Sequence, residues 1–292
     1  MKSKKNIKTL KFNTKKILKK TDVKKTLFQG IGFDMLFGLI YFAKKFKNFD
    51  IPLKFKRELG YKRGDFMNLG IRFDCSNKST QQKLYYPINK TDFFEYIKNS
   101  KKRFLGIFLY LKWNCKGSSA HFNMIVFDKG KKTVERFEPY STFNRQYEEN
   151  VFNYFDELFE KDITKQLNYN YIKPSKICPK IGFQQKEENN LNLSFGTNRN
   201  DDPGGFCGAW SLYYLNMKLK YPNISTEKLL IKIYKYLDKD SNSMRNFIRN
   251  YSQFVIKERE KILNKYFQAD DEYLPSHIQT NLENRFSNLI ER

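Results

Sequence analysis

Cys207 stands in the run DDPGGFCGAWSLYYL, between paired glycines and an apolar segment of helical length. A helix that begins near this residue presents unpaired N–H groups and a partial positive charge at its end, and both favour a thiolate. Gly204, Gly205 and Gly208 flank the cysteine and carry no side chain to hold a substrate backbone away. The backbone N–H groups around Cys207 are candidate donors to an oxyanion. The same apolar run would equally suit a small buried structural cysteine, so the reading turns on whether a base stands nearby. The chain offers two imidazoles, His121 and His277.

His121 opens the strand-like run HFNMIVFD, which is followed by KGKK and then by TVERFEP. Two such runs around a short glycine-containing loop read as a β-hairpin. A two-residue loop pairs Asp128 with Lys131 and sets His121 opposite Glu138. A four-residue loop sets Asn123 opposite Glu138 and makes the glutamate a diagonal neighbour of His121. Facing side chains lie about 5 Å apart at Cβ and diagonal ones about 7–8 Å. Both registers put the pair on one face, whereas a three-residue loop separates them. Glu138 is therefore a candidate to accept from one imidazole nitrogen, fixing its tautomer and stabilising imidazolium. The plain alternative is two polar residues on the wet face of a hairpin. With Cys207 added, the roles of nucleophile, base and orienter are all filled, which is the pattern of thiol-based acyl transfer.

Other candidates fit less well. His277, beside Pro275 and Ser276, reads as a surface residue, and Cys115 as an ordinary thiol at a strand edge. Glu135 should point to the opposite face of its strand from Glu138, and nothing in the sequence activates Ser118 or Ser119. Trp113 and Trp210 read as core or cleft wall.

The elements that must carry these residues are legible in outline. FLGIFLYLKW, from Phe104, reads as a buried strand by length and by aromatic and branched content. A helix is predicted at EENVFNYFDELFEKDI, where Phe152, Phe155, Leu158 and Phe159 recur at helical spacing. A polar, Asn-rich connection over about 184–203 leads to the helix from Cys207 through Leu219. Two more helices follow, at ISTEKLLIKIYKYLDK with Ser225 or Thr226 as N-cap, and at SNSMRNFIRNYSQFVIKEREKILNKYF. Upstream, GIGFDMLFGLIYFAKKF has helical length, and TDFFEYIKNSKKR opens with Thr91 as the expected N-cap. Strands followed by a run of helices predict an α+β fold, a small, mostly antiparallel sheet flanked by helices. The expected divisions are a basic arm at 1–28, an accessory, substrate-facing region at 29–100, a core at 101–270 and a tail at 271–292.

Composition bounds the chemistry. Four scattered cysteines (Cys75, Cys115, Cys178, Cys207), with no CxxC and two histidines, argue against a disulfide framework and against a structural zinc site of the common spacing. No metal or organic cofactor is expected. Hydrophobic residues at 40% indicate a folded chain despite a mean hydropathy of −0.72. No apolar run is long enough to span a membrane, and no secretory signal is apparent, so an intracellular protein is expected. The net charge is +24, and the first 25 residues hold eleven lysines against the single Asp22. That block suits a polyanionic partner such as nucleic acid, with salt-sensitive affinity, or a solvated tail. A non-enzymatic, basic nucleic-acid-binding or virion structural protein is therefore the competing expectation.

The chain order His, acid, Cys differs from the Cys, His, Asn order of papain. Together with AHFNMIVFD, VERFEP and GGFCGAWSLYYL, it resembles the clan of the adenovirus protease (adenain) and the SUMO-specific, ubiquitin-like-protein proteases. The look is nearest to the large-DNA-virus branch, including the polyprotein protease of African swine fever virus and the thiol proteases of giant viruses. The resemblance covers roughly residues 104–220. It implies a papain-like cysteine-protease core in the adenain/SUMO-protease arrangement, with His121 as base, Glu138 as its orienter and Cys207 as nucleophile. It further implies protein substrates, either viral structural precursors or ubiquitin-like conjugates, a place in the host cytoplasm, viral factory or virion, and a glutamine in the oxyanion hole. The nearest upstream glutamines are Gln184 and Gln185 in IGFQQKE; Gln184 is favoured, with the Asn-rich stretch read as an insertion. The chain departs from the family pattern at Phe122, where a Trp often follows the histidine, and at Phe206, where an Asp often precedes the cysteine.

Overall fold

The run FLGIFLYLKWN is apolar at successive positions, as suits a strand covered on both faces. It forms the central strand β4 (Phe104–Asn114), and every side chain from Phe104 to Leu109 is buried. The computed structural model describes residues 32–52, 69–74, 84–87, 89–114, 118–141, 146–189, 206–238 and 241–266. The basic arm, Cys75, Cys115, the paired glycines Gly204 and Gly205, and His277 lie outside the described residues.

Antiparallel to β4 runs β5 (Ser118–Asp128), paired along its whole length from Phe104↔Asp128 to Asn114↔Ser118. The next strand, β6 (Thr133–Phe137), is antiparallel to β5, and β7 (Asn170–Ile172) is parallel to β6. On the other edge of β4 lie β1 (Phe49–Asp50) and β2 (Leu69–Asp74), both parallel to it, and β3 (Leu84–Tyr85) pairs antiparallel with β2. The described part of 29–100 thus contributes three strands to the same sheet. The centre is antiparallel, as expected, and the parallel pairings at both edges make the sheet mixed. Those edge strands are mostly two or three residues long, too short to show a period of two.

Helices cover both faces. On one face, α2 (Lys90–Asn99) and α3 (Gln146–Leu167) bury Phe93, Phe94, Phe155 and Phe159. The N-cap of α2 is Asn89 and not the expected Thr91: the Asn89 carboxamide accepts the Asp92 N–H at 2.8 Å, so the helix starts before Thr91. On the other face lies α6 (Cys207–Lys220), apolar nearly all round and buried accordingly. Behind it pack α1 (Gly32–Lys45), α7 (Thr226–Leu237) and α8 (Ser241–Tyr266). Ser225 caps α7 by position. Two short helices, α4 (Pro174–Ile177) and α5 (Phe183–Asn189), follow β7. The latter corrects the expectation of a polar connection beginning at residue 184. Among the described residues, no helix is long and apolar enough to cross a membrane.

A buried polar cluster ties sheet to helices. Lys218 of α6 donates to both oxygens of Glu135 at 3.0 and 2.8 Å and to the Thr226 hydroxyl at 2.6 Å. Tyr214 and Thr226 also donate to Glu135, at 3.0 and 2.5 Å. Glu135 therefore faces α6, on the side of β6 expected for it.

The β5–β6 turn is held from outside. Asp128, at the end of β5, accepts Arg103 Nε at 3.0 Å and Nη2 at 3.1 Å and also the Lys131 N–H at 3.3 Å. Asp128→Ala removes the acceptor for all three and should cost about 2 kcal/mol. Urea unfolding of the variant against the parent chain measures that loss; an unchanged midpoint and slope would show that the turn holds without Asp128.

Candidate functional site

The site begins with a turn length. Residues 129–132 connect β5 to β6, with Asp128↔Thr133 and Met124↔Phe137 in register. Lys132 takes the left-handed φ of 52° that closes this four-residue turn. One step beyond the ladder, Glu138 lies across from Asn123 and diagonal to His121. Of the two registers compatible with the sequence, the structure adopts the four-residue one. His121 Nε2 and Glu138 Oε1 are 2.6 Å apart, and both side chains are almost fully buried. Glu138 Oε1 also accepts the Tyr140 N–H at 2.8 Å, which fixes the carboxylate against its own following turn.

Cys207 heads α6 and is partly exposed, while the imidazole and carboxylate lie behind it. Glu138 and Cys207 are the two groups that act on the His121 ring. Burial disfavours a charged imidazole here, but the Glu138 carboxylate and the Cys207 sulfur outweigh it and raise the His121 pKa to about 10. The N-cap of α6 is Phe206, whose side chain has no oxygen to cap with, so the first-turn N–H groups have no side-chain cap. Phe206 is itself buried, with the Arg245 guanidinium 5.3 Å from its ring centre. Phe122 packs against Phe108 and Tyr110 in the core.

Gly208 does not open the cleft. A Cβ there would come within 2.4 Å of the Met35 side chain, so its missing side chain serves the packing of α6 on α1 and not substrate approach. Trp210 is core: it is buried, stacks on Phe247 and donates to Glu187 at 3.1 Å.

Gln184 and Gln185 both lie on α5 and are largely buried. The start of α5 is docked on the segment that follows Glu138. The Gln184 N–H donates to the Pro139 carbonyl at 3.0 Å, and a Cβ on Gly182 would fall 2.3–2.4 Å from backbone atoms of Pro139 and Tyr140. Only glycine permits that approach. At its far end α5 is tied to α6 and α8 through Glu187, which accepts from Trp210 and Arg245. The structure therefore places Gln184 beside the Glu138 turn on a helix braced against α6.

Sequence reasoning missed the groups behind Glu138. Arg136, two residues before it on the same face of β6, is buried and makes a bidentate pair with Asp156 of α3, both contacts at 2.8 Å. Its Nη1 donates to Asn123 Oδ1 at 2.6 Å and stands 3.7 Å from Glu138 Oε2. The spacing of Arg136 and Glu138 in VERFEP is the signal that could have found it, because residues two apart on a strand share a face. Cys178 also lies close by; burial pushes its thiol up to about 12, against a hydrogen bond from the Glu138 backbone.

Comparison with known proteins follows this geometry. No family model matches the chain. Over 275 residues it is 29% identical to a protein of Acanthamoeba polyphaga mimivirus named as an ankyrin repeat protein, which covers 87% of this chain and 35% of that one. The chain thus spans about a third of the length of that curated relative. Among solved structures, ChlaDub1 from Chlamydia trachomatis is similar at a TM-score of 0.42 and 12% identity, over 79% of this chain and 93% of that one. The Chlamydia trachomatis effector Cdu1, solved bound to ubiquitin, has a TM-score of 0.40 and 13% identity, over 80% and 93% of the two chains. The C-terminal Ulp1 protease domain, solved with Smt3, the yeast ortholog of SUMO, has a TM-score of 0.33 and 11% identity, over 77% and 75%.

The two described cysteines near the site should differ sharply in reactivity. Both thiols are partly exposed, but iodoacetamide at pH 7 should label Cys207, beside a charged imidazole, on the order of 100-fold faster than Cys178, whose pKa is pushed up to about 12. His121→Ala should slow the labelling of Cys207 and leave Cys178 as it was. Peptide mapping by mass spectrometry gives both rates, and equal slow labelling of the two thiols would contradict the geometry.

Proposed function

We propose that the chain is a cysteine peptidase, in which Cys207 attacks a peptide or isopeptide carbonyl, His121 moves the proton and Glu138 orients His121. The observation that carries this reading is a buried imidazole that is hydrogen-bonded to a buried carboxylate and raised in pKa by the nearby, partly exposed Cys207 sulfur. Thiol, base and orienter in hydrogen-bond sequence are what covalent acyl transfer requires.

The Cys207 sulfur bonds to the carbonyl carbon, and the carbonyl oxygen takes the negative charge. The N–H groups of the uncapped first turn of α6, with the Gln184 side chain, stabilise that oxyanion. The His121 imidazolium gives its proton to the amine as the C–N bond breaks, leaving a thioester on Cys207. His121, now neutral, takes a proton from water as the oxygen adds to the thioester carbon; the C–S bond then breaks, which releases the acid product and leaves Cys207 as a thiolate beside the imidazolium. Glu138 holds the ring in one orientation and stabilises its charged form in both half-reactions. No step calls on a metal or an organic cofactor.

The resemblance of AHFNMIVFD, VERFEP and GGFCGAWSLYYL to the adenain and SUMO-protease clan implies a substrate class of ubiquitin-like conjugates or viral structural precursors, cut after small residues such as Gly-Gly. The lysine-rich first 25 residues would hold such an enzyme on nucleic acid or another acidic partner.

Hydrolysis of fluorogenic amides of Gly-Gly-ending peptides tests the reading. Cys207→Ala should abolish turnover and His121→Ala should lower kcat/KM by about 10³-fold or more. Glu138→Gln and Gln184→Ala should each cost on the order of 10²-fold. The imidazolium is the proton donor, and a raised pKa keeps it charged below its midpoint and neutral above. Turnover should accordingly persist through pH 9 and fall as pH rises through about 10. Full activity in Cys207→Ala, or an alkaline limb near pH 6.5, would overturn the assignment.

A further inference from the structure

Arg136 is a buried cation placed between two carboxylates, and it treats them differently. Asp156 takes Nε and Nη2 in a bidentate pair, at 2.8 Å each. Asp156 is fixed in turn by the Tyr171 hydroxyl at 2.6 Å, and the guanidinium lies near the Phe152 and Phe155 rings, 5.4 and 5.7 Å from their centres. The remaining nitrogen, Nη1, donates to Asn123 Oδ1 at 2.6 Å. Glu138 Oε2, at 3.7 Å, is therefore attracted by the cation without a hydrogen bond from it, and among the described residues it has none from any other donor.

That arrangement has a consequence for His121. A guanidinium free to swing onto Glu138 would pair with it bidentately, as arginine and carboxylate ordinarily do, and would compete with the imidazole for the carboxylate. Asp156 and Asn123 hold Arg136 back and leave Oε1 to His121. Asp156 also balances the charge of Arg136, so the cation does not cancel the field of Glu138 at the imidazole.

We propose that Asp156 and Asn123 are positioning residues that hold Arg136 off Glu138 and so leave Glu138 directed at His121. This rests on the reading of His121 and Glu138 given above. Among the described residues, the charged and titratable groups around the pair are Cys207 from α6, Arg136 from β6, Asp156 from α3, Tyr171 from β7, and Cys178 beyond α4. Of these, Tyr171 is held neutral by burial and Cys178 stays a thiol at neutral pH, so Arg136 and Asp156 are the pair whose charges can be altered without touching the nucleophile.

The chain has two histidines, so a His277→Gln, Cys207→Ala protein carries one imidazole and no attacking thiol. Its ring signals, followed by NMR across pH, give the midpoint of His121 directly. Adding Asp156→Asn should lower that midpoint by about one pH unit, because the freed cation turns toward Glu138. Adding Arg136→Met should raise it, because Glu138 and Asp156 then act on the imidazolium unopposed. Opposite shifts are the signature of charge; loss of packing alone would not produce them. Should Arg136→Met fail to fold, Asp156→Asn decides alone, since its isosteric side chain keeps the packing of the site while its NH2 group can no longer accept from Arg136. An unchanged or raised midpoint in Asp156→Asn, with the parent midpoint well above 6.5, overturns this inference and leaves the proposed peptidase standing. A parent midpoint at the ordinary value near 6.5 overturns the reading of the site itself, and the inference with it.

Discussion

The register of one hairpin decides whether this chain has a site at all. A strand places alternate residues on opposite faces, so a slip of one position would send Glu138 to the α6 side and leave His121 facing nothing acidic from β6. The four-residue turn after Asp128 prevents that slip, and Asp128 is pinned by Arg103 from the neighbouring end of β4. The same alternation separates two carboxylates close together in sequence. Glu138 meets His121, while Glu135 is absorbed by Lys218, Tyr214 and Thr226 on the other face. One strand thereby carries the partner of His121 on one side and anchors two helices on the other.

Burial grades the site from outside inward. The sulfur is partly exposed, the imidazole and Glu138 are buried, and behind them Arg136 and Asp156 are buried as a closed pair. In a low-dielectric setting each charge is strongly felt by its neighbours, and an unpaired one would be costly. A charge series that alternates in sign from His121 to Glu138 to Arg136 to Asp156 meets that requirement. The α5 helix completes the enclosure. It begins where Gly182 lies against the Glu138 turn and ends where Glu187 meets Trp210, so it links the carboxylate's support to the helix that carries Cys207.

How much of this was legible in the sequence follows from the length of each signal. The eleven-residue runs of β4 and β5 and the aromatic spacing of α3 are long enough for their period to speak. The parity that brings His121 and Glu138 together was readable from strand alternation, whereas the choice between two- and four-residue turns was not, because Asp128 is held by Arg103 from elsewhere in the fold. Strands β1, β3 and β7 have two or three residues and exist because longer neighbours offer them hydrogen bonds. The helix α5 was hidden in an Asn-rich stretch, where composition reads as loop. Gly208 was misread as an opening toward substrate because its neighbour Met35 lies far away in sequence. Arg136 was missed because a charged residue in a strand reads as solvent-facing until its partners, Asn123 on β5 and Asp156 on α3, are brought to it by the fold.

The central claim is that Cys207 becomes covalently acylated with His121 as its proton partner. Millisecond mixing with the peptide amide cleaved fastest, followed by acid quench and intact-protein mass spectrometry, tests it most directly. The account predicts a transient acyl mass, labile to hydroxylamine, mapped to Cys207 and lost in Cys207→Ala. Turnover with no acyl mass on Cys207, or with the acyl group on another residue, would contradict it.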